Sequence, residues 1–201
     1  GGIASGEELL AVAETLSAAR RIRRQIDDQI LRPTLTAVLS DLATLPELEQ
    51  CLKFGLEDGG RVADRASSYL AELRRKANNL RIERSDRLKD LMRKYGSILQ
   101  DNVISERNYR PVLAVKSPLA SNLSGLIHDS SSSGNTVFIE PQEVIPLGNH
   151  LIELEGQIFK HEQELLLKWS RLVAENFPTI QKLQKILLQL DLALARARYS
   201  F

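Results

Sequence analysis

Apolar residues recur along most of this chain at steps of three, four and seven, and one stretch in the middle breaks that rhythm. Ser5 opens the first helical run, with Glu8 three residues on in capping-box spacing. Leu9, Val12, Leu16, Ala19, Ile26 and Ile30 then form one face until Pro33 stops it. A shorter helix is expected over 34–43. Pro46 suits the first turn of the next helix, which carries Leu48, Leu52 and Phe54 to the break at Gly59-Gly60. After a brief extended turn over 61–66, residues 67–100 contain no Pro, and their only Gly is Gly96. Leu70, Leu73, Ala77 and Leu80 keep a heptad, and Leu88, Leu91, Tyr95 and Ile98 keep a second. The register slips by one through Arg84. One helix of roughly 33 residues would extend about 50 Å.

The pattern then changes. Residues 102–141 are rich in Ser, Asn, Gly, Pro and β-branched residues, and Val103-Ile104, Val112–Val115, Leu126-Ile127 and Thr136–Ile139 read as short strands. The loop 130–135, four serines then Gly134 and Asn135, reads as a hairpin connection. Beyond Pro141 the helical period returns: Leu147, Leu151, Leu154, Ile158, His161, Leu165, Lys168 and Leu172 alternate by four and three. The aliphatic stem of Lys168 can line such a seam. This run ends near Phe177-Pro178 after roughly 35 residues, about 53 Å of helix. Ile180, Leu183, Leu187, Leu190, Leu194 and Ala197 mark a last helix.

Two helical runs of equal length flanking a β segment bury their seams most simply by lying antiparallel. Charge agrees: residues 67–100 hold nine Lys or Arg against four Asp or Glu, whereas residues 142–177 hold three against six. Opposite signs beside a seam favour that partner over self-pairing. The expected fold is therefore mainly α, a helical core with two long antiparallel lever helices and a small β-rich tip. Its divisions fall at 1–66 (core), 67–101 (ascending lever), 102–141 (tip), 142–177 (descending lever) and 178–201 (last core helix). The basic run also admits a nucleic-acid surface through Arg74, Arg75, Lys76, Arg81 and Arg84, although a charged helix face is more often solvated.

Composition narrows the chemistry. The 201 residues are 43% hydrophobic and 26% charged with a net charge of +1, a globular balance without a global field to attract nucleic acid. One cysteine, Cys51, leaves no internal disulfide and fits a reducing, cytoplasmic compartment. No apolar run approaches the roughly 18 residues a membrane span needs. The chain starts Gly1-Gly2-Ile3 and stops at Phe201 within a helical period, so both ends read as cuts in a longer protein.

The run Gly125-Leu126-Ile127-His128-Asp129-Ser130-Ser131-Ser132-Ser133-Gly134-Asn135-Thr136-Val137-Phe138-Ile139-Glu140-Pro141 closely resembles the hallmark stretch of the MutS-II branch of the bacterial MutS family, G-I-V-H-D-x-S-x-S-G-x-T-x-F-I-E-P. Arg107 to Lys116 resembles the branch's R-N-G-R-Y-V-L-P-V-K segment, with Tyr109 for the glycine, Pro111 for the aromatic and Ala114 for the proline. Residues 190–198 resemble the last core helix before the ATPase domain, residues 7–24 an early core helix and residues 56–66 the link to the first lever. The resemblance implies a core, levers and a β-rich clamp tip that embrace branched or duplex DNA, within a homodimeric ATPase ending in a Smr-type nuclease domain. It implies suppression of homologous recombination at junctions and, as the alternative, an arm that contacts collided ribosomes.

No G-x-x-x-x-G-K-S/T occurs, so ATP and Mg are expected only in an ATPase domain outside this segment, and the segment itself is expected to carry no catalytic residue or cofactor. Its histidines, His128, His150 and His161, are too dispersed for a metal site, and His161 reads as a packed or edge residue. His128-Asp129 beside serines could suggest a nucleophile, but an open polar loop lacks the enclosure that activates one. The favoured role is contact with a sugar-phosphate backbone by Arg107, Arg110, Lys116, Ser131, Ser132, Ser133, Asn135 and Thr136. Against it, Arg107 and Arg110 could instead pair with Glu106 or Glu140.

Overall fold

A computed structural model describes residues 2–26, 39–40 and 42–198. The expected helix over 34–43 and the stop at Pro33 lie almost wholly outside the described residues. The chain divides into two compact units, one of residues 1–70 and 160–201, the other of residues 71–159.

In the first unit, α1 (Gly6–Ile26) starts with the expected capping box. The Ser5 amide donates to Glu8 Oε2 (2.8 Å) and the Glu8 amide to Ser5 Oγ (3.2 Å), so two amides with no helical partner are satisfied reciprocally. Leu9, Ala13, Leu16 and Ala19 are buried, Val12 only half so. They pack against α2 (Pro46–Gly55), whose Leu48 and Leu52 are also buried. Two 3-10 turns follow, at Asp58–Gly60 and Asp64–Ala66. Residues 160–175 belong to α4 (Ile145–Glu175), and α5 (Phe177–Arg198) closes the described chain with Leu183 buried.

The apolar seam of α4 drifts here. Lys168 is exposed and its neighbour Trp169 is buried, with its ring so close to α2 that a Cβ on Gly55 would lie 2.2 Å from it. A straight helix turns every 3.6 residues, so a seam written in steps of 3.5 walks off its face within a few turns. His161, half-buried, accepts this packing as an edge residue: Nε2 lies 2.9 Å from Ser67 Oγ, and its ring meets Tyr69 edge-on.

In the second unit, residues 71–95 of α3 (Ser68–Tyr95) lead into an antiparallel sheet. Its strands are β1 (Leu99–Arg107), β2 (Arg110–Lys116), β3 (Gly125–Ser130) and β4 (Thr136–Pro141), in the order β1-β2-β4-β3. Each contains one of the four short runs that β-branched composition marks. A six-residue 3-10 segment, Ser117–Asn122, bridges β2 to β3. α3 ends at Tyr95, five residues before the end expected at Gln100, because Leu99 and Gln100 already belong to β1.

The expected mainly α class, with two long antiparallel lever helices and a small β tip, does not hold. The chain is mixed α/β, and the close backbone packing of this unit is strand on strand. The sheet has a core of its own: Leu113, Val115 and Ile139 meet Leu88 and Leu91 of α3, together with Ile98, Leu99, Leu123 and Val144. The second heptad of α3 is thus buried by strands. Only the first, through Leu73 and Ala77, meets Leu151 and Leu154 of α4. A helical period reports that a face is apolar without saying what covers it, and the lever reading assigned both heptads to one helix. α3 and α4 each contribute residues to both units. The charge difference between the runs does have a local counterpart: Arg81 pairs with Glu155 (2.7 Å) and Arg87 with Glu143.

Candidate functional site

The eight candidate residues come to rest at two ends of one sheet. β2 lies antiparallel to β4 with Lys116 opposite Thr136, so the β3–β4 turn stands beside the end of β2. The β1–β2 turn lies at the other end, where Arg107 pairs with Arg110. Six residues of extended strand separate Arg110 from Lys116, about 20 Å. Lys116, Ser131, Ser132, Ser133, Asn135 and Thr136 are brought together; Arg107 and Arg110 form a separate group.

At the serine-rich end the turn is held by its own polar atoms. The Ser131 amide donates to the Thr136 carbonyl (2.9 Å), the Thr136 amide to Ser131 Oγ (3.0 Å) and the Gly134 amide to the Ser131 carbonyl (2.8 Å). Gly134 sits at φ 73°, where a side chain would be strained. Ser117 ties the turn to the preceding segment, donating from Oγ to the Gly134 carbonyl (2.5 Å) and from its amide to the Asn135 carbonyl (3.0 Å). Ser132, Ser133 and Asn135 are exposed. Lys116 Nζ donates to the Ser97 carbonyl (3.3 Å), a neutral partner, and among the described residues it forms no ion pair. The result is a fixed turn presenting hydroxyls, an amide and one cation, groups that hydrogen-bond to phosphate and sugar oxygens.

The arginines at the other end are engaged within the sheet. Arg107 Nε pairs with Asp129 Oδ2 (3.3 Å), Nη1 donates to the Glu106 carbonyl (2.8 Å), and the guanidinium lies 4.1 Å from the centre of the Phe138 ring. Arg110 is more enclosed. Its Nη1 reaches Glu140 Oε1 (3.4 Å) and its Nη2 donates to Asn149 Oδ1 (2.7 Å). The pairing of Arg110 with Glu140 is the within-tip alternative. Arg107, in contrast, takes Asp129, which the sequence reading did not propose.

Glu140 organises this end and was overlooked as a site residue. Its side chain is 1% exposed, and its second oxygen, Oε2, accepts from His128 Nε2 at 2.8 Å. A carboxylate between an arginine and an imidazole, each on a different strand, ties β2, β3 and β4 together. Gly148, in the first turn of α4, makes room for the guanidinium: a Cβ there would lie 2.4 Å from Arg110 Nη1. The available signal was a single charge within the apolar run Thr136–Pro141, which suits a buried strand only if the charge is paired. His128 is accordingly a strut that joins β3 to the buried carboxylate. Among the described residues no three His, Cys, Asp or Glu side chains converge to hold a metal ion, and no helix is long and apolar enough to cross a membrane.

No family model matches the chain. Endonuclease MutS2 from Synechocystis sp. is 39% identical over 201 residues, a match that covers all of this chain and 24% of that protein. The chain is MutS2-like. Endonuclease MutS2 from Pelotomaculum thermopropionicum is likewise 39% identical over 203 residues, and the protein of that name from Geobacillus sp. 33% identical over 206. Each of these matches covers all of this chain and 26% of the relative. The chain therefore spans about a quarter of the length of the MutS2 relatives it matches. Likeness to MutS2 runs through the helices of both units as well as through the sheet, so the β segment is not a lone shared motif.

Proposed function

We propose that this chain is a DNA-contacting part of a cytoplasmic MutS2-type protein of the MutS-II branch, and that its β sheet meets the sugar-phosphate backbone at the serine-rich end. The observation that carries this reading is the group formed by exposed Ser132, Ser133 and Asn135 on a fixed turn beside Lys116, which among the described residues pairs with no carboxylate. One cation and a few neutral donors bind weakly and without base preference. Useful affinity then requires two copies acting on one DNA, which is the proposed value of a homodimer. Branched DNA is the proposed substrate, in suppression of recombination.

The sequence holds no phosphate-cradling glycine loop, so ATP and Mg chemistry is proposed for parts of the longer protein outside these 201 residues. Binding of the chain to a four-way junction, a duplex and a structured RNA across a salt series tests the reading. Lys116→Ala is expected to weaken DNA binding on all sequences alike and to lower the salt slope by about 1. Unchanged affinity in a combined Lys116→Ala, Ser132→Ala, Asn135→Ala variant would remove the serine-rich end as the contact, and tighter binding to the RNA would favour a ribosomal role.

A further inference from the structure

The β1–β2 hairpin turns on two residues, Asn108 at φ 52° and Tyr109 at φ 61°. Positive φ at both central positions defines a type I′ turn, which matches the right-handed twist of the strands it joins. Asn accepts that conformation readily and Gly without cost. A tyrosine does not, because its Cβ crowds the neighbouring peptide groups. The strain has no visible return inside the molecule. Tyr109 is 92% exposed, and among the described residues its ring meets neither an aromatic ring nor a cation.

The mount beneath it is stiff. Arg107, on one side of the turn, is pinned by Asp129 and the Phe138 ring; Arg110, on the other, is pinned by Glu140 and Asn149. A large flat ring with few torsions, held clear of the surface on an anchored hairpin, loses little freedom when a partner stacks on it. We propose that Tyr109 is a stacking platform for an unpaired DNA base, an inference that rests on the DNA-contacting role above and extends it to a second end of the sheet. Aromatic faces stack on any base, so this contact selects single-stranded or unstacked positions over intact duplex without reading sequence. The serine-rich end, with one cation and hydroxyls, supplies no such preference. Together the two ends recognise a place where duplex backbone adjoins an unpaired base.

Tyr109→Gly separates the ring from the fold, because glycine relieves the turn while deleting the stacking face. The 201-residue chain is titrated with a fluorescein-labelled oligothymidylate and with a duplex of the same length, and is photocrosslinked to the oligothymidylate carrying one 5-iodouracil. Tyr109→Gly is expected to lose roughly 5-fold or more in single-strand affinity while duplex affinity stays within about 2-fold. Its melting temperature is expected not to fall, Tyr109→Phe is expected to retain single-strand binding, and the crosslink is expected to map to Tyr109. Single-strand affinity unchanged in Tyr109→Gly, or a crosslink elsewhere, overturns the platform and leaves the backbone-contact role standing. Loss of both affinities alike points to a folding role for the residue and also overturns it. If the wild-type chain binds neither DNA, both readings fall together.

Discussion

Each unit of this protein buries one carboxylate between two positively charged or hydrogen-donating partners, and the two arrangements differ in how wet those partners are. In the first unit Glu49 accepts from Arg20 through both oxygens (2.8 and 2.9 Å) and pairs with Lys53 (3.2 Å). Arg20 and Lys53 are 37% and 43% exposed. In the second unit Glu140 sits between Arg110 and His128, which are only 20% and 11% exposed. Glu49 joins helices and can exchange its partners' outer hydrogen bonds for water. Glu140 joins three strands, with its own side chain 1% exposed and its partners less exposed than those of Glu49. A buried pair gains more from mutual attraction and loses more when half of it is removed, because the survivor keeps its desolvation cost.

Removal of the Glu140 carboxylate is therefore expected to have the largest effect. Glu140→Ala should cost about 3 kcal/mol or more of stability, since it leaves Arg110 and His128 without their shared acceptor. Amide hydrogen exchange across β2, β3 and β4 measures it. Protection retained in those strands would show that apolar packing alone holds the sheet, and the contrast between the units would fail.

Glu49 is expected to report through acid. The hydrogen bonds from Arg20, helped by Lys53 and Ser17 and opposed by burial, hold its carboxyl down at about 2, against an ordinary value of 4.5. A depressed folded value means that the stabilisation is complete above the unfolded value and is lost as pH falls from about 4.5 toward about 2. That loss is on the order of 3 kcal/mol. The only tryptophan, Trp169, is packed against α2 in this unit, so its fluorescence in urea follows the first unit separately. Arg20→Ala should flatten the acid limb of that curve. An unchanged limb would sharpen the comparison by shifting the weight to Lys53.

Arg81→Ala is the smallest expected effect. The Arg81–Glu155 pair is half exposed on both sides, so its loss should change stability by less than about 1 kcal/mol at ordinary salt. A larger change in thermal melting would mean that the exposed pair is worth as much as a buried one.

How much of this could be read beforehand varies with the range of the interaction. The Ser5–Glu8 capping box, the four strand positions and the turn near Gly134 were legible, because each depends on residues within a few positions of one another. Tyr109 was visible as a departure at a position where a glycine is usual in the resembling segment, but its positive φ needed the paired strands. The partner of Arg107 was not legible. Asp129 lies 22 positions later on β3, the edge strand opposite β1, and no local pattern in the chain pairs those two edges. The seam of α4 was half legible, correct at Leu151 and Leu154 and displaced to Trp169 farther on, as the departure of 3.6 from 3.5 dictates.

Among the described residues the sequence by itself located most helices and all four strands, but not the end of α3, since backbone hydrogen bonding imposes its own spacing on apolar residues. Only the tertiary structure decided that the second heptad of α3 is covered by strands, that Glu140 gathers Arg110 and His128, and that the candidate contacts separate to two ends of a sheet. Local periodicity fixes the direction in which a side chain is presented. The partner it meets depends on strand order and register, which are properties of the whole unit.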